Sequence, residues 1–428
     1  MMDAQSSSAA SENSPGVSPR AAILAFALGA IFFNYAFIQR VSPSVMTHEL
    51  MRDFSVGAAA LGSLSAFYFY AYAGIQLPVG VLTDRFGPRK LMGVAAFFCA
   101  FASLAFAYSD SLWAASIARA MVGGTVAFAF VGTMAIAGYW FKSSQYALLA
   151  GILQAAGMCG AIFGQALLRL VVEGIGWRQS VLAMAAMALV LCVLVFTLVP
   201  RRSESERQQK ERPSMLSGLR AVTTNSQSWL CAAIGFGMAA TMLGFGGLWA
   251  VPWLTSVHGY STVQAAGIAS TLFAGWAIFS PIVGALSDYL GRRNPLLIGG
   301  GIVSSGAFAL LLFATPQNTY LLIALVLTTG IGGCTMTVAF SMVKELNDVR
   351  FSSTSLGLMN MCIVGSGAVM QPLIGVLLDL QWDGTMIEGV RSYSTSAYTF
   401  ALTSFLVVQV MAVVGALIVR ETQCRQVG

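Results

Sequence analysis

Twelve long stretches of this chain carry almost no charge, and each is long enough to be a membrane helix, which needs roughly 20 mostly apolar residues. They lie near 21–47, 57–82, 90–109, 111–138, 146–171, 178–200, 227–256, 263–287, 295–315, 318–343, 353–380 and 394–420. Composition agrees: 57% of residues are hydrophobic and 9% charged, against about 45–50% and 25% in soluble domains. The chain is expected to be an all-α membrane protein that contacts the lipid bilayer along most of its length.

Six runs lie on each side of residues 201–226, the one long, densely charged segment, which cannot sit in lipid and reads as a solvated linker. The expected organisation is a disordered tail (1–19), a six-helix half (20–200), the linker (201–226), a second six-helix half (227–421) and a short tail (422–428). The Ser- and Ala-rich first tail has no basic start and no short apolar core, so it is not read as a signal peptide. With the N-terminus inside, 17 of the 23 Lys and Arg fall in cytoplasmic segments, as the positive-inside rule requires. Both termini are therefore expected in the cytoplasm, with the protein in a plasma or inner membrane. The net charge of +6 reflects this topology; no basic-aromatic module points to nucleic acid.

The chain also repeats itself. Gly80-Val-Leu-Thr-Asp84-Arg85-Phe-Gly87-Pro88-Arg89-Lys90 recurs as Gly284-Ala-Leu-Ser-Asp288-Tyr289-Leu-Gly291-Arg292-Arg293, with the shared positions 204 residues apart. Each copy follows an apolar run with a carboxylate, a glycine that permits a tight turn, and basic residues; Gly80 and Gly284 are expected to allow close helix contact.

Twelve runs in two halves, with this motif after the second run and a degenerate copy after the eighth, resemble the major facilitator superfamily over about 400 of the 428 residues. Pro88 departs from the family's usual basic residue, and Tyr289 replaces the arginine of the first copy. The resemblance implies twelve transmembrane helices in two pseudo-symmetric six-helix bundles, the MFS fold, working as a monomer by alternating access. It also implies a gating set of Gly80, Asp84, Arg85, Gly87, Arg89, Gly284, Asp288, Gly291, Arg292 and Arg293, whose charge-assisted bonds form in one conformation and break in another. Capping and retention on the positive side would explain the same residues without gating.

Enzyme chemistry finds no support. The seven cysteines are scattered, and six lie in or beside apolar runs as small core hydrophobes. His48 and His258 are isolated, and nucleophile elbows, phosphate loops and Cys/His clusters are absent. No metal and no cofactor is expected.

Polar residues inside apolar runs are the guides to a solute path, because an ionisable group at the bilayer centre costs about 2.5–3.5 kcal/mol and must be paired or face water. Arg40 lies late in the first run beside Asn34, Tyr35 and Gln39; snorkelling to the interface is the competing reading. Arg119 opens Arg-Ala-Met-Val-Gly in the fourth run, with no Asp or Glu in the apolar parts of runs 1, 2 or 4 to pair with it. Ser65, Tyr68, Tyr72 and Gln76 share one helix face in the second run. Gln154 and Asn360, and Gln165 and Gln371, are pairs 206 apart, as expected of a cavity on a pseudo-two-fold axis or of bonds between helices. Trp249 sits in the Gly- and Pro-interrupted seventh run, which with Pro43 reads as paired outer gates. Arg40 is similar in place to the helix-1 arginine that holds a substrate carboxylate in organic-anion carriers of the superfamily, and Arg119 to its second signature.

The expected substrate-binding set is Asn34, Tyr35, Arg40, Tyr68, Tyr72, Gln76, Arg119, Gln154, Trp249 and Asn360. The expected function is secondary transport of a small carboxylate-bearing solute: an organic acid, amino acid or short peptide. The solute is anionic or zwitterionic, with a proton or other ion as a candidate coupling partner. A carrier of neutral or cationic solutes or drugs stays open, and so does a membrane receptor that does not transport.

Overall fold

The computed structural model describes residues 17–141, 145–201 and 215–426. The first half holds α1 (Pro19–Val41), a short amphipathic α2 (Thr47–Phe54), α3 (Ala58–Phe86), α4 (Pro88–Ala107), α5 (Leu112–Trp140), α6 (Tyr146–Ile175) and α7 (Trp177–Leu198). Within the former linker, α8 (Met215–Thr224) is a short helix. The second half runs α9 (Ser226–Ala240), a π-helical segment (Thr241–Trp249) and α10 (Ala250–His258) as one span, then α11 (Thr262–Leu290) and α12 (Asn294–Phe313). Next come α13 (Thr319–Gly333) and α14 (Met336–Glu345) as another span, α15 (Ser352–Leu380), a hairpin of β1 (Met386–Ile387) and β2 (Val390–Arg391), and α16 (Thr395–Ile418). Among the described residues, twelve spans are long and apolar enough to cross a membrane, at the places expected from the uncharged runs.

Local chemistry sets the boundaries. Ser18, Ser111, Asn225, Asn318 and Ser394 each accept a backbone N–H as side-chain N-caps, and Ser261 forms a capping box with Gln264, supplying partners for N–H groups that a helix start leaves free. Gly87 and Gly291, the copied motif glycines, take φ of +80° and +63° where α3 and α11 end, a region where a side chain would be strained.

The duplication extends to packing. A Cβ on Gly123 of α5 would lie 2.0 Å from the carbonyl oxygen of Tyr68 in α3, and one on Gly330 of α13 would lie 2.2 Å from that of Leu272 in α11. These two backbone crossings occupy corresponding places in the halves. In the same register, Arg119 corresponds to Val326.

An even number of spans puts both ends of the described chain on one face, here the terminal face. Toward the opposite, far face the halves are in contact: a Cβ on Gly62 would be 2.4 Å from the oxygen of Gln371, and one on Gly375 would be 2.3 Å from that of Ala58. Toward the terminal face, a Cβ on Gly74 of α3 or Gly151 of α6 would meet nothing within 4 Å. Gln165 and Gln371 are fully buried, whereas Gln154 and Asn360, about three turns earlier on the same faces, are exposed and half-buried. The backbone contacts thus lie toward the far face and the less covered polar residues toward the terminal face, and we take the space between the bundles on that side as a vestibule.

Candidate functional site: two buried arginines

Arg40 is carried in by α1 and Arg119 by α5; both are buried, at 5% and 1% exposure. The Arg40 guanidinium carbon lies 4.2 Å from the ring centre of Phe37, 5.1 Å from Tyr72 and 5.8 Å from Tyr68. That of Arg119 lies 5.1 Å from Tyr68 and 5.9 Å from Phe106. The two cations thus share the Tyr68 ring, whose π-face attracts both and whose hydroxyl donates to the Ala36 carbonyl at 3.2 Å.

Neither arginine is in an ion pair among the described residues. Arg119 donates through Nη1 to the Gln39 carbonyl at 2.9 Å, while its Nε and Nη2, and Nε of Arg40, are buried without a hydrogen-bond partner. A buried cation with unmet donors is costly. Arg169 shows the alternative: it donates to Glu49 at 2.7 Å, to Glu173 at 3.2 Å and to the Val45 carbonyl at 2.8 Å, a neutralised far-face brace.

The other expected contact residues divide by role. Tyr72 stacks on Tyr68 with ring centres 6.1 Å apart, and Gln76, one turn nearer the opening, is half-buried. Gln154 is exposed and Asn360 half-buried, both nearer the terminal face than Gln165 and Gln371. Asn34 donates to the Ala156 carbonyl at 2.9 Å, tying α1 to α6. Tyr35 points away from the vestibule: its hydroxyl donates to the Met184 carbonyl at 3.0 Å and accepts from Gln39, which also reaches Ser103. This network fixes the α1 backbone to which Arg119 bonds. Trp249 is buried in the second half, its Nε1 donating to the Gln371 carbonyl at 3.1 Å. Sequence reading passed over Phe37 and Phe106. Phe37 stands three residues before Arg40, a helical-neighbour spacing that would have found it; nothing local marks Phe106.

At the terminal face, the surroundings of Gly80 and the side chain of Asp84 lie outside what the structure describes. Arg85 is exposed beside the Phe86 ring, and Arg89 donates to the Phe196 carbonyl. Gly284 has open space where a Cβ would sit, so it makes no close helix contact in this conformation. Arg292 is exposed. Arg293 donates to Asp288 at 2.7 Å and to Glu345 at 2.6 Å, and the Glu421 carboxylate accepts its backbone N–H at 3.0 Å. Bonds to Glu345 and Asp288 outweigh the effect of burial and push the Arg293 guanidinium pKa up. The second motif copy is therefore satisfied inside its own half.

A model of the Major Facilitator Superfamily matches residues 24–372. A probable sulfoacetate transporter of Cupriavidus necator is 22% identical, the alignment covering 82% of this chain and 86% of that one. A probable L-galactonate transporter of Escherichia coli is 24% identical, with 70% and 69% covered. Among solved structures, a bacterial homolog of the human lysosomal transporter Spinster, inward-facing and unoccupied, superposes with a TM-score of 0.74 at 16% identity, covering 94% of this chain and 96% of that one.

Proposed function

Because the chain belongs to the major facilitator superfamily, we propose that it is a secondary carrier of small organic anions, solutes bearing a carboxylate or sulfonate, with Arg40 and Arg119 as the anion-binding pair. The carrying observation is Arg119: it is buried, its Nε and Nη2 lack partners, and among the described residues no acid pairs with it. A solute anion would meet those donors with charge-assisted bonds. The second half argues against a purely structural role, because Val326 and Leu272 stand at the same crossing where the first half has Arg119 and Tyr68, and the packing survives. Relatives called sulfoacetate and L-galactonate transporters support the same class.

The positive-inside bias supports a cytoplasmic terminal face, and on that reading this conformation opens to the inside. The solute enters past Gln154, Asn360 and Gln76, meets the arginines beyond Tyr72, and is exposed to the other side when the halves rock about it. The acids crowd the helix ends, and a proton-coupling group is expected inside the pathway; exchange or facilitated diffusion fits this chain better than proton symport through a membrane-embedded carboxylate.

The test is uptake into proteoliposomes of labelled sulfoacetate, a sugar acid, an amino acid and a neutral nucleoside, by the wild type and by Arg40→Ala and Arg119→Ala. Saturable anion uptake lost in both variants supports the reading. Anion uptake unchanged in both, or transport of the nucleoside alone, overturns it.

A further inference from the structure

We propose that Asp379 is the latch of the far-face gate: a carboxylate from one half caps a helix of the other, and must release it for the vestibule to open outward. The inference rests on alternating access and not on the chemistry of the solute.

Asp379 stands at the last turn of α15. Its carboxylate leaves its own bundle and accepts the backbone N–H of Ala59 at 2.9 Å and of Ala58 at 3.3 Å, the first residues of α3. The start of a helix has free N–H groups and a partial positive charge, so a carboxylate there is held by hydrogen bonds and by the helix dipole. The following loop holds the acid in place. Tyr393 donates to Asp379 at 2.5 Å while its oxygen accepts from Ala58 at 2.9 Å, and Arg391 donates to Asp379 at 3.2 Å from a position 4.2 Å above the Trp382 ring. Burial, then the Asp379 bond, push the Tyr393 hydroxyl pKa up, which keeps it a donor. The seam admits no bulk: a Cβ on Gly57 would lie 2.7 Å from the Asp379 carboxylate.

The counterpart 206 positions earlier is Glu173. It ends α6 as Asp379 ends α15, but bonds Arg169 one turn away in its own helix. Of this duplicated pair of acids, one braces its own bundle and the other crosses to the second bundle.

The experiment places spin labels at Asp110 and Gln317, exposed loop residues at the far face of the two halves, in a cysteine-substituted full-length chain in nanodiscs without solute, and measures their distance distribution. The wild type gives one short-distance population. Asp379→Ala gains a longer one; Tyr393→Phe, which keeps the two backbone bonds, gains a smaller share of it. Glu173→Ala leaves the distribution as in the wild type. An unchanged distribution in Asp379→Ala, or an equal shift in Glu173→Ala, overturns the proposal. Should Asp379→Ala fail to give monodisperse protein, Asp379→Asn, which keeps one acceptor oxygen, serves instead: a gained longer population supports the latch and an unchanged distribution overturns it.

Discussion

Arg119 donates one N–H, at 2.9 Å, to the carbonyl oxygen of Gln39, the residue next to Arg40. That bond joins the two cations through backbone and leaves the Nε and Nη2 donors of Arg119 without a partner. A single charge-assisted bond is worth about 1.5–3 kcal/mol, so the loss of even one in Arg119→Ala is expected to weaken solute binding at least roughly 10- to 150-fold. Arg119→Lys should recover little of this, because an ammonium cannot supply the planar fork. Calorimetric titration of the purified variants measures both.

Tyr68→Leu installs the residue that the second half uses at the same crossing. The protein should fold, since the crossing depends on the Tyr68 backbone, but the cations lose the ring between them. Cation–π contacts contribute up to about 2 kcal/mol when desolvated, so a rise in KM of up to about 30-fold is expected, with stability lowered by about 1 kcal/mol for the lost hydroxyl bond to Ala36.

Arg169→Ala should act in the opposite sense. Glu49 would be left partly buried without its cation, at a cost of about 2–3 kcal/mol in stability, with the arginine pair intact. Thermal unfolding in detergent should fall while solute affinity stays at the wild-type value.

Gly123→Val forces a side chain into the Tyr68 carbonyl. Overpacking of this kind costs about 1–3 kcal/mol and displaces the helix that carries the shared ring. Reduced expression and reduced binding together are expected, whereas Gly74→Ala, with nothing within 4 Å of its Cβ, should behave as wild type in both assays.

Glu421 gives a pH signature at the terminal face. Burial raises its pKa, but backbone N–H bonds from Arg293, Asn294, Gln423 and Thr422 outweigh it and hold the carboxyl below its ordinary value. A depressed acid contributes stability above its unfolded pKa of about 4.3 and loses it as pH falls through the lower folded value. The difference in unfolding temperature between wild type and Glu421→Gln should therefore be full at pH 7 and shrink below about pH 4. A difference that stays constant across that range would show that the clasp does not depend on charge.

The spans were legible because lipid leaves an unbroken apolar run one reading, and the copied motif gave the two halves. Arg40 and Arg119 were legible for the same reason: a charge inside an apolar run needs an explanation. What stayed hidden depends on partners distant in sequence. Tyr35 reads as a vestibule residue until Met184 is seen to take its hydroxyl. Asp379 reads as a helix end until α3 arrives from more than 300 residues away. Trp249 carries no local sign that it is buried against Gln371. The amphipathic α2 and the hairpin that holds Asp379 are too short to leave a periodic signature.

The π-helical segment Thr241–Trp249 is gripped twice: Gln371 donates to the Leu243 carbonyl from within its own half, and Gln165 donates to the Gly246 carbonyl from the other. Wide turns of this kind often sit at functional sites. The two grips have different fates when the halves separate. The first travels with the segment, and the second is replaced by water on an uncovered peptide oxygen. Opening on that side is thus an exchange of one hydrogen-bond donor for another, an amide for water, so its energetic cost should respond to osmolytes and solvent deuteration more than to the greasiness of neighbouring side chains.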